Sequence, residues 1–363
     1  MAHVFVSPLN WGLGHATRDI PLIRTLLEHG HQVTIGACGN ALSVLKQEFP
    51  AELTFFEYPD YPLPFGAGKD FVPRFCATLP FFLRAVVREH ATLDRMIAKE
   101  KYDLVMSDSR LGVFSNRVPS LFITHQLHYH IPLIYWPAGL LAIPANQYLH
   151  EQFTRIIVPD NPPGPTSLAG KLSRPQTDVT REKAYYSGIL CGSRQMVCAK
   201  DLDYLIIISG PEPPRSILEK IILSHLPKIE GSGVVLLGSP QKEKTVKRIK
   251  NWICVPYVPT EQKIELMNRA KTVICRSGYT TLMELAELGK QQALLIPTPG
   301  QTEQEYLSWY YEKQGWFPSV DQDQLDLLDD IERIPEYTGF PAMSGTAENT
   351  KRVYNELLAD FLE

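Results

Sequence analysis

Short apolar runs alternate with stretches whose apolar positions recur at helical spacing. That rhythm is set within the first hundred residues. Val4–Ser7 reads as a strand, Leu9 to His15 as a glycine-containing loop, and Ile20 to His29 as a helix that Gly30 stops. Gln32–Ala37, Leu42–Glu48 and Leu53–Glu57 continue as strand, helix and strand. After a Pro- and Phe-rich loop comes a helix from about Pro80 to Lys101, then strands at Leu104–Ser107 and Leu121–Thr124. Repetition of this kind predicts a parallel, doubly wound sheet.

The pattern breaks at Pro159-Asp-Asn-Pro-Pro-Gly-Pro-Thr and stays rich in Pro, Gly, Ser and Thr through Lys183, as a connection between domains would. It then restarts. Leu205–Ser209, Val234–Leu237, Ile253–Val255, Val273–Cys275 and Ala293–Ile296 read as strands; Ser216–Leu226, Glu261–Arg269, Thr280–Leu288 and Glu303–Gln314 read as helices. A chain of 363 residues accommodates two domains of ordinary size. The expected layout is a Rossmann-like domain at 1–165, a linker at 166–190, a second Rossmann-like domain at 191–343, and a C-terminal helix at 344–363 packing back on the first. Two α/β sheets that face each other leave a central cleft at the carboxyl ends of their strands, where ligands bind. The loops at Gly12–His15, Ser209-Gly210 and Ser277-Gly278 each follow a strand and are expected to open onto it.

The stretch Cys275-Arg-Ser-Gly-Tyr-Thr-Thr-Leu-Met-Glu284 carries the clearest chemistry. It reads as a strand end, a Ser-Gly turn and a helix N-terminus, whose free N–H groups and positive dipole suit a phosphate. Ser277, Thr281 and Glu284 are spaced 4 and 3 apart and share one helix face. A phosphate at Ser277 therefore has a carboxylate about a turn and a half further on, placed to accept from the two hydroxyls of a ribose. Gln301, Glu303, Gln304 and Glu305 follow the next strand and suit sugar hydroxyls. A nucleotide-sugar site is the combined expectation. The plain alternatives are an exposed helical carboxylate at Glu284 and simple helix capping at Glu303 and Gln304.

Composition narrows the class. Apolar residues make up 44% and charged residues 21%, as in a soluble globular protein. A net charge of −4 offers no reason to expect nucleic acid as a partner. In the segment from Phe65 to Lys101, Phe71, Phe75, Phe81, Phe82 and Leu83 interleave with Arg74, Arg84 and Arg88. Such a helix either meets a lipid-linked or membrane-bound acceptor or packs on the sheet with its arginines in water, the second being the commoner fate. Ile131 to Ala145, with Tyr135-Trp136, is too short and proline-broken to span a bilayer. The N-terminus lacks a charged leader followed by a hydrophobic segment, so no signal peptide is expected. The six cysteines form no Cys-x-x-Cys pair, which points to a reducing cytoplasm, with the inner membrane face as a peripheral site.

Four motifs together resemble the GT-B glycosyltransferases. They are Gly12-Leu-Gly-His-Ala-Thr-Arg18, Gly30-His-Gln-Val-Thr34, Arg276-Ser-Gly278 with Glu284, and Pro297-Thr-Pro-Gly-Gln-Thr-Glu-Gln304. The chain is most similar to the branch containing the bacterial UDP-N-acetylglucosamine transferase of peptidoglycan precursor synthesis. The resemblance implies an inverting, metal-independent transferase with no cofactor beyond its nucleotide-sugar co-substrate. It places the donor in the second domain, with Ser277, Gly278, Tyr279, Thr280 and Thr281 at the diphosphate, Glu284 at the ribose, Glu303 and Gln304 toward the sugar, and Arg276 and Gln301 among the other donor-site residues. The base would lie against Tyr257 and Val258. Gly12, Gly14 and Arg18 would form the acceptor-side loop, with His15 facing the acceptor hydroxyl.

One loop departs from the family. Ser209-Gly-Pro-Glu-Pro-Pro-Arg215 replaces a Gly-rich turn, and proline lacks an N–H donor. Arg215 is expected to supply the missing charge beside Gly210. His15 titrates near neutrality and is the preferred base. Asp108 and His125, each following a strand, are expected to orient it or to act themselves. All three could instead cap helices or loops. Asp201-Leu-Asp203 and Asp321-Gln-Asp323 have metal-motif spacing in unsuitable settings. A dehydrogenase fingerprint fails because position 17 is Thr and the second strand ends Gly36-Ala-Cys-Gly39. A nucleotide-sugar 2-epimerase and a non-catalytic nucleotide-sugar-binding subunit remain the rival readings.

Overall fold

The computed structural model describes residues 1–62, 71–128, 136–238 and 246–363, with 71–77 and 136–142 as helical backbone alone. Tyr135, most of the Ile131–Ala145 stretch, and the side chains of Phe71, Arg74, Phe75 and Cys76 lie outside the described residues. The chain forms two units: Met1–Pro64, Phe75–Gly192 and Met343–Glu363 in the first, Phe65–Arg74 and Ser193–Ala342 in the second.

The first unit is a seven-stranded sheet of β1 (His3–Pro8), β2 (Gln32–Ala37), β3 (Thr54–Glu57), β4 (Leu104–Asp108), β5 (Ser120–Ile123), β6 (Arg155–Val158) and β7 (Ala184–Tyr186). Their order is β3-β2-β1-β4-β5-β6-β7, and every pairing is parallel. Consecutive residues of β1 point to opposite faces, and both are covered. Val4 and Val6 join the larger core with α1 (Leu13–Glu28) and α2 (Gly39–Glu48). Phe5 packs with Tyr58, Leu93 and Tyr102 on the other side, Leu93 coming from α3 (Phe71–Lys99). The chain winds outward from β1 to β3 and returns to β4 beside β1. The switch point therefore lies between the carboxyl ends of β1 and β4.

Residues 166–190 are not a linker. They belong to the first unit and contain α5 (Asp178–Lys183), which follows α4 (Trp136–Glu151) and β6, and the edge strand β7. The Pro- and Gly-rich composition signals irregular backbone, but that backbone is tied down by one buried carboxylate. Asp160 accepts from the backbone N–H of Asn161 (2.8 Å), Leu168 (2.7 Å) and Ala169 (3.1 Å) and from the hydroxyls of Ser167 and Ser173 (2.7 Å each). The C-terminal segment also belongs here. Val353, Tyr354, Leu357, Leu358 and Leu362 enter the core formed by α1 and the sheet. The Tyr354 ring stacks 3.6 Å from His29, and its hydroxyl lies 2.7 Å from His31 Nε2.

The second unit is a six-stranded sheet of β8 (Leu202–Ile207), β9 (Gly233–Leu236), β10 (Lys247–Ile249), β11 (Trp252–Val255), β12 (Ala270–Cys275) and β13 (Ala293–Leu295). The order is β10-β11-β9-β8-β12-β13, and only the β10–β11 pair is antiparallel. Its helices are α6 (Pro214–His225), α7 (Thr260–Arg269), α8 (Tyr279–Glu287), α9 (Thr302–Gln314) and α10 (Leu327–Glu332). Trp252 is fully buried over Gly233, where a Cβ would come within 2.1 Å of the indole, so only glycine fits there. The chain again reverses at its first strand, so loops following β8 and β12 flank this unit's switch point.

Candidate functional site

The first switch point holds a compact polar cluster. Gly12 has φ of +112°, a glycine conformation, and turns the chain straight into α1 at Leu13. His15 is thus in the first turn of α1, not in the loop the sequence suggested, and Arg18 and Asp19 lie on the same helix face. Asp108, the last residue of β4, is fully buried. Its Oδ1 is 2.9 Å from His15 Nδ1, and its Oδ2 accepts from Arg18 Nε at 2.6 Å while Arg18 Nη2 donates to Oδ1. Arg18, expected as an acceptor-side residue, is therefore a buried clamp on Asp108. Gly14, beside His15, contributes backbone: its carbonyl accepts from the Thr17 hydroxyl at 3.2 Å.

Electrostatics assign the protons. Burial works against charge on Asp108, but the Arg18 guanidinium and His15 outweigh it and hold this carboxyl well below the ordinary carboxylate range. His15 Nδ1 lies 2.9 Å from both Asp108 Oδ1 and Arg18 Nη2. Because an ionised Asp108 can only accept and Arg18 Nη2 already donates to that same oxygen, the favoured imidazole tautomer carries its proton on Nδ1. Nε2 is then left with a lone pair on a ring that is 19% exposed. Burial lowers the His15 pKa, Asp108 partly restores it, and the Arg18 guanidinium and, less strongly, the neighbouring His125 lower it further. His125, buried just beyond β5, thus lies within electrostatic reach of His15. The sequence did not reveal the support behind Asp108. Arg110 is buried against Glu89 (2.5 Å), donates to the Pro8 carbonyl at 3.2 Å and also reaches the Pro59 carbonyl, tying β1 and β4 together.

In the second unit α8 begins after Gly278, which offers no side chain to cap the helix N-terminus. Tyr279 is buried, whereas Thr280 and Thr281 are half-buried. Ser277 is fully buried and its hydroxyl donates to the Gln304 carbonyl at 2.9 Å. That hydroxyl, expected at a phosphate, holds α9 to the strand end. Arg276 is a strut. It donates to the carbonyls of Ser209 (3.5 Å), Pro214 (3.3 Å), Ile296 (3.2 Å) and Pro297 (2.8 Å) and to Gln322 Oε1 (2.5 Å). Neutral oxygens alone solvate it in these bonds, and burial lowers its pKa to about 10.

Arg215, expected to supply charge beside Gly210, is engaged within the protein. It is buried, pairs with Glu212 (2.6 Å) and Glu219 (2.8 Å), and donates to the Leu237 carbonyl and Ser216 Oγ (2.8 Å each). Gly210, at φ of +104°, leaves only 3.3 Å between a hypothetical Cβ and Thr298 Oγ1. Glu284 is buried and both its oxygens accept from Lys263 Nζ at 2.8 Å. Lys263 lies on α7 and escapes sequence analysis, because nothing local says which helices become neighbours. Gln304 accepts from the Thr298 N–H at 2.9 Å and donates to Gln301 Oε1 at 2.5 Å; Glu303 sits half-buried in the same turn. Tyr257 is 48% exposed and Val258 is buried beside it. Asp201 pairs with Arg269, and Asp203 pairs with Lys271 and Ser232, so neither behaves as a free ligand. Among the described residues no group of three or more His, Cys, Asp or Glu side chains forms a metal cluster.

Comparison with known proteins bears on the fold. Residues 216–350 match the glycosyltransferase family 28 C-terminal domain. An uncharacterized glycosyltransferase of Methanosarcina mazei is 25% identical over 326 residues, covering 84% of this chain and 82% of that protein. Similar solved structures include the glycotransferase of kitacinnamycin (TM-score 0.63, 14% identity, 99% of this chain and 95% of that one). MurG of Acinetobacter baumannii matches with a TM-score of 0.60 at 13% identity, over 99% and 100% of the two chains. CalG4, the calicheamicin glycosyltransferase, matches with a TM-score of 0.63 at 16% identity, over 99% and 95%. The fold is therefore GT-B, and the chain resembles these glycosyltransferases at the superfamily level.

Proposed function

We propose, from the GT-B fold and the family 28 match, that this chain transfers a sugar from a nucleoside-diphosphate sugar to an acceptor hydroxyl. The donor is uridine-linked, such as UDP-N-acetylglucosamine; the reaction inverts the anomeric carbon and uses neither metal nor cofactor. The observation that carries the catalytic reading is the His15–Asp108 contact at 2.9 Å, at the switch point of the first unit. His15 Nε2 takes the acceptor proton as the oxygen attacks the anomeric carbon, and Asp108 stabilises the imidazolium that forms. Attack opposite the leaving group inverts the centre. The uncapped N-terminus of α8 and the buried charge of Arg276 offset the charge that develops on the departing diphosphate. Glu284, held by Lys263, keeps lone pairs for the two ribose hydroxyls, and Tyr257 offers its exposed ring to the base.

The acceptor is lipid-linked in this reading, and the protein works at the cytoplasmic membrane face. Support comes from α3, where Phe81 (68% exposed), Leu83 and Val87 lie in solvent beside exposed Arg84 and Arg88, while Phe82 turns inward. The sequence favoured a helix packed on the sheet, and only part of its apolar set does so. Among the described residues no helix is long and apolar enough to cross a membrane. The test is a thermal-shift screen of nucleotides with and without chelator, followed by turnover of the stabilising donor. UDP stabilises the protein, and chelator leaves that shift and turnover unchanged. His15→Gln lowers turnover by about a hundredfold or more while UDP binding persists. Stabilisation by dinucleotides but not UDP, or turnover that survives His15→Gln, overturns the reading.

A further inference from the structure

Asp19 sits one residue past Arg18 on α1, is 1% exposed, and has no donor within hydrogen-bonding reach of either carboxyl oxygen. Burying an ionised carboxylate without a donor is prohibitively unfavourable. Asp19 shares α1 with His15 and Arg18, which both bond to Asp108, so the group that faces it there is another acid, Asp108. Two adjacent buried carboxylates cannot both ionise, so one keeps its proton. Asp108 is the one that ionises, because Arg18 and His15 both bond to it. Its carboxylate has about four lone-pair positions. The bonds from His15 Nδ1, Arg18 Nε and Arg18 Nη2 occupy three. Room for one more donor remains, and a protonated Asp19 supplies it.

We propose that Asp19 is held as a neutral carboxylic acid whose O–H donates to Asp108, which makes Asp19 the positioning residue behind the His15–Asp108 pair. The inference rests on the reading of His15 as the base and deepens it. A donor to Asp108 drains negative charge from the oxygen that His15 uses, so the imidazole stays neutral and ready to accept a proton. Burial and the Asp108 charge both push the Asp19 carboxyl well above its ordinary range, in accord with the geometry. The groups that face His15 are Asp108, Arg18 and His125, so a change at Asp19 reaches it through Asp108.

The test needs no sugar donor, so its outcome is separate from that of the transfer assay. In whole protein labelled with carboxyl-13C aspartate, the resonance missing from Asp19→Asn is followed with pH. It should keep the chemical shift of an acid at neutral pH; the shift of an ionised carboxylate overturns the proposal. The His15 ring titration, identified by its loss in His15→Gln, is then compared across variants. Asp19→Asn retains an N–H donor and leaves the titration near that of the parent. Asp19→Val removes the donor and raises it by about half a pH unit or more. A titration unmoved by Asp19→Val, or moved equally by both variants, refutes the positioning role. If Asp19→Val does not fold, the carboxyl shift and Asp19→Asn still decide.

Discussion

Replacing Lys263 by methionine removes the cation from a buried acid at nearly constant volume. In the parent, Lys263 Nζ lies 2.8 Å from both oxygens of Glu284, whose side chain is 5% exposed against 28% for the lysine. At an effective dielectric near 20, that separation corresponds to about 6 kcal/mol of gross attraction, most of it offset by desolvation. Stranding a fully buried partner costs roughly 3–5 kcal/mol, and an exposed pair contributes under about 1 kcal/mol. Because the lysine is partly in water, Lys263→Met should cost about 2–3 kcal/mol. Glu284→Gln should cost only about 1 kcal/mol, since the lysine can turn to solvent. The double variant should regain about half of the Lys263→Met loss, giving a coupling energy of about 2 kcal/mol. Urea unfolding monitored in the second unit measures all four corners of the cycle, with unchanged slopes as the control. The ligand arm is separate: Lys263→Met keeps UDP binding if Glu284 serves the ribose, and Glu284→Ala loses it. Coupling below about 0.3 kcal/mol would refute the claim that Lys263 holds Glu284.

Arg276→Gln releases the carbonyls of Ser209, Pro214, Ile296 and Pro297, and calorimetric UDP affinity should fall by about tenfold although no direct ligand contact is assigned to the arginine. Asp160→Ala strands three backbone N–H groups and two serine hydroxyls; denaturant unfolding should show a loss of roughly 3–5 kcal/mol, with Asp160→Asn intermediate. His150 is 1% exposed, and burial followed by the Lys183 charge lowers its pKa from 6.5 to about 4. The unfolded chain therefore binds more protons than the folded one in that window, so stability falls as pH drops from about 6.5 to 4, by roughly 3 kcal/mol. Unfolding of His150→Asn against pH should lack that component.

Much of the fold is local and periodic, and so was legible. The strands at Gln32–Ala37 and Ala293–Leu295 and the helix at Thr260–Arg269 announce themselves by runs or by spacing. The short edge strand β7 and the strand β6 are weaker signals, and the Pro-rich composition around Asp160 disguised an ordered loop as a linker. His15 and Asp108 were both found as residues that follow strands. Arg215 and Ser277 were placed correctly in the chain but misjudged in role, because their polar atoms are consumed by Glu212, Glu219 and the Gln304 carbonyl.

By itself, then, the amino-acid sequence determined what depends on neighbours in the chain: two α/β units, the glycine turn at Gly12, the helix that begins after Gly278, and residue types suited to a nucleotide-sugar. Only the tertiary structure decided which charges meet. His15 and Asp108 are 93 positions apart, and Lys263 and Glu284 are 21 apart on different helices. No periodicity encodes such distances. They arise because parallel β–α winding returns separate strand ends to one switch point, and there burial turns proximity into ionisation, pairing or neutrality.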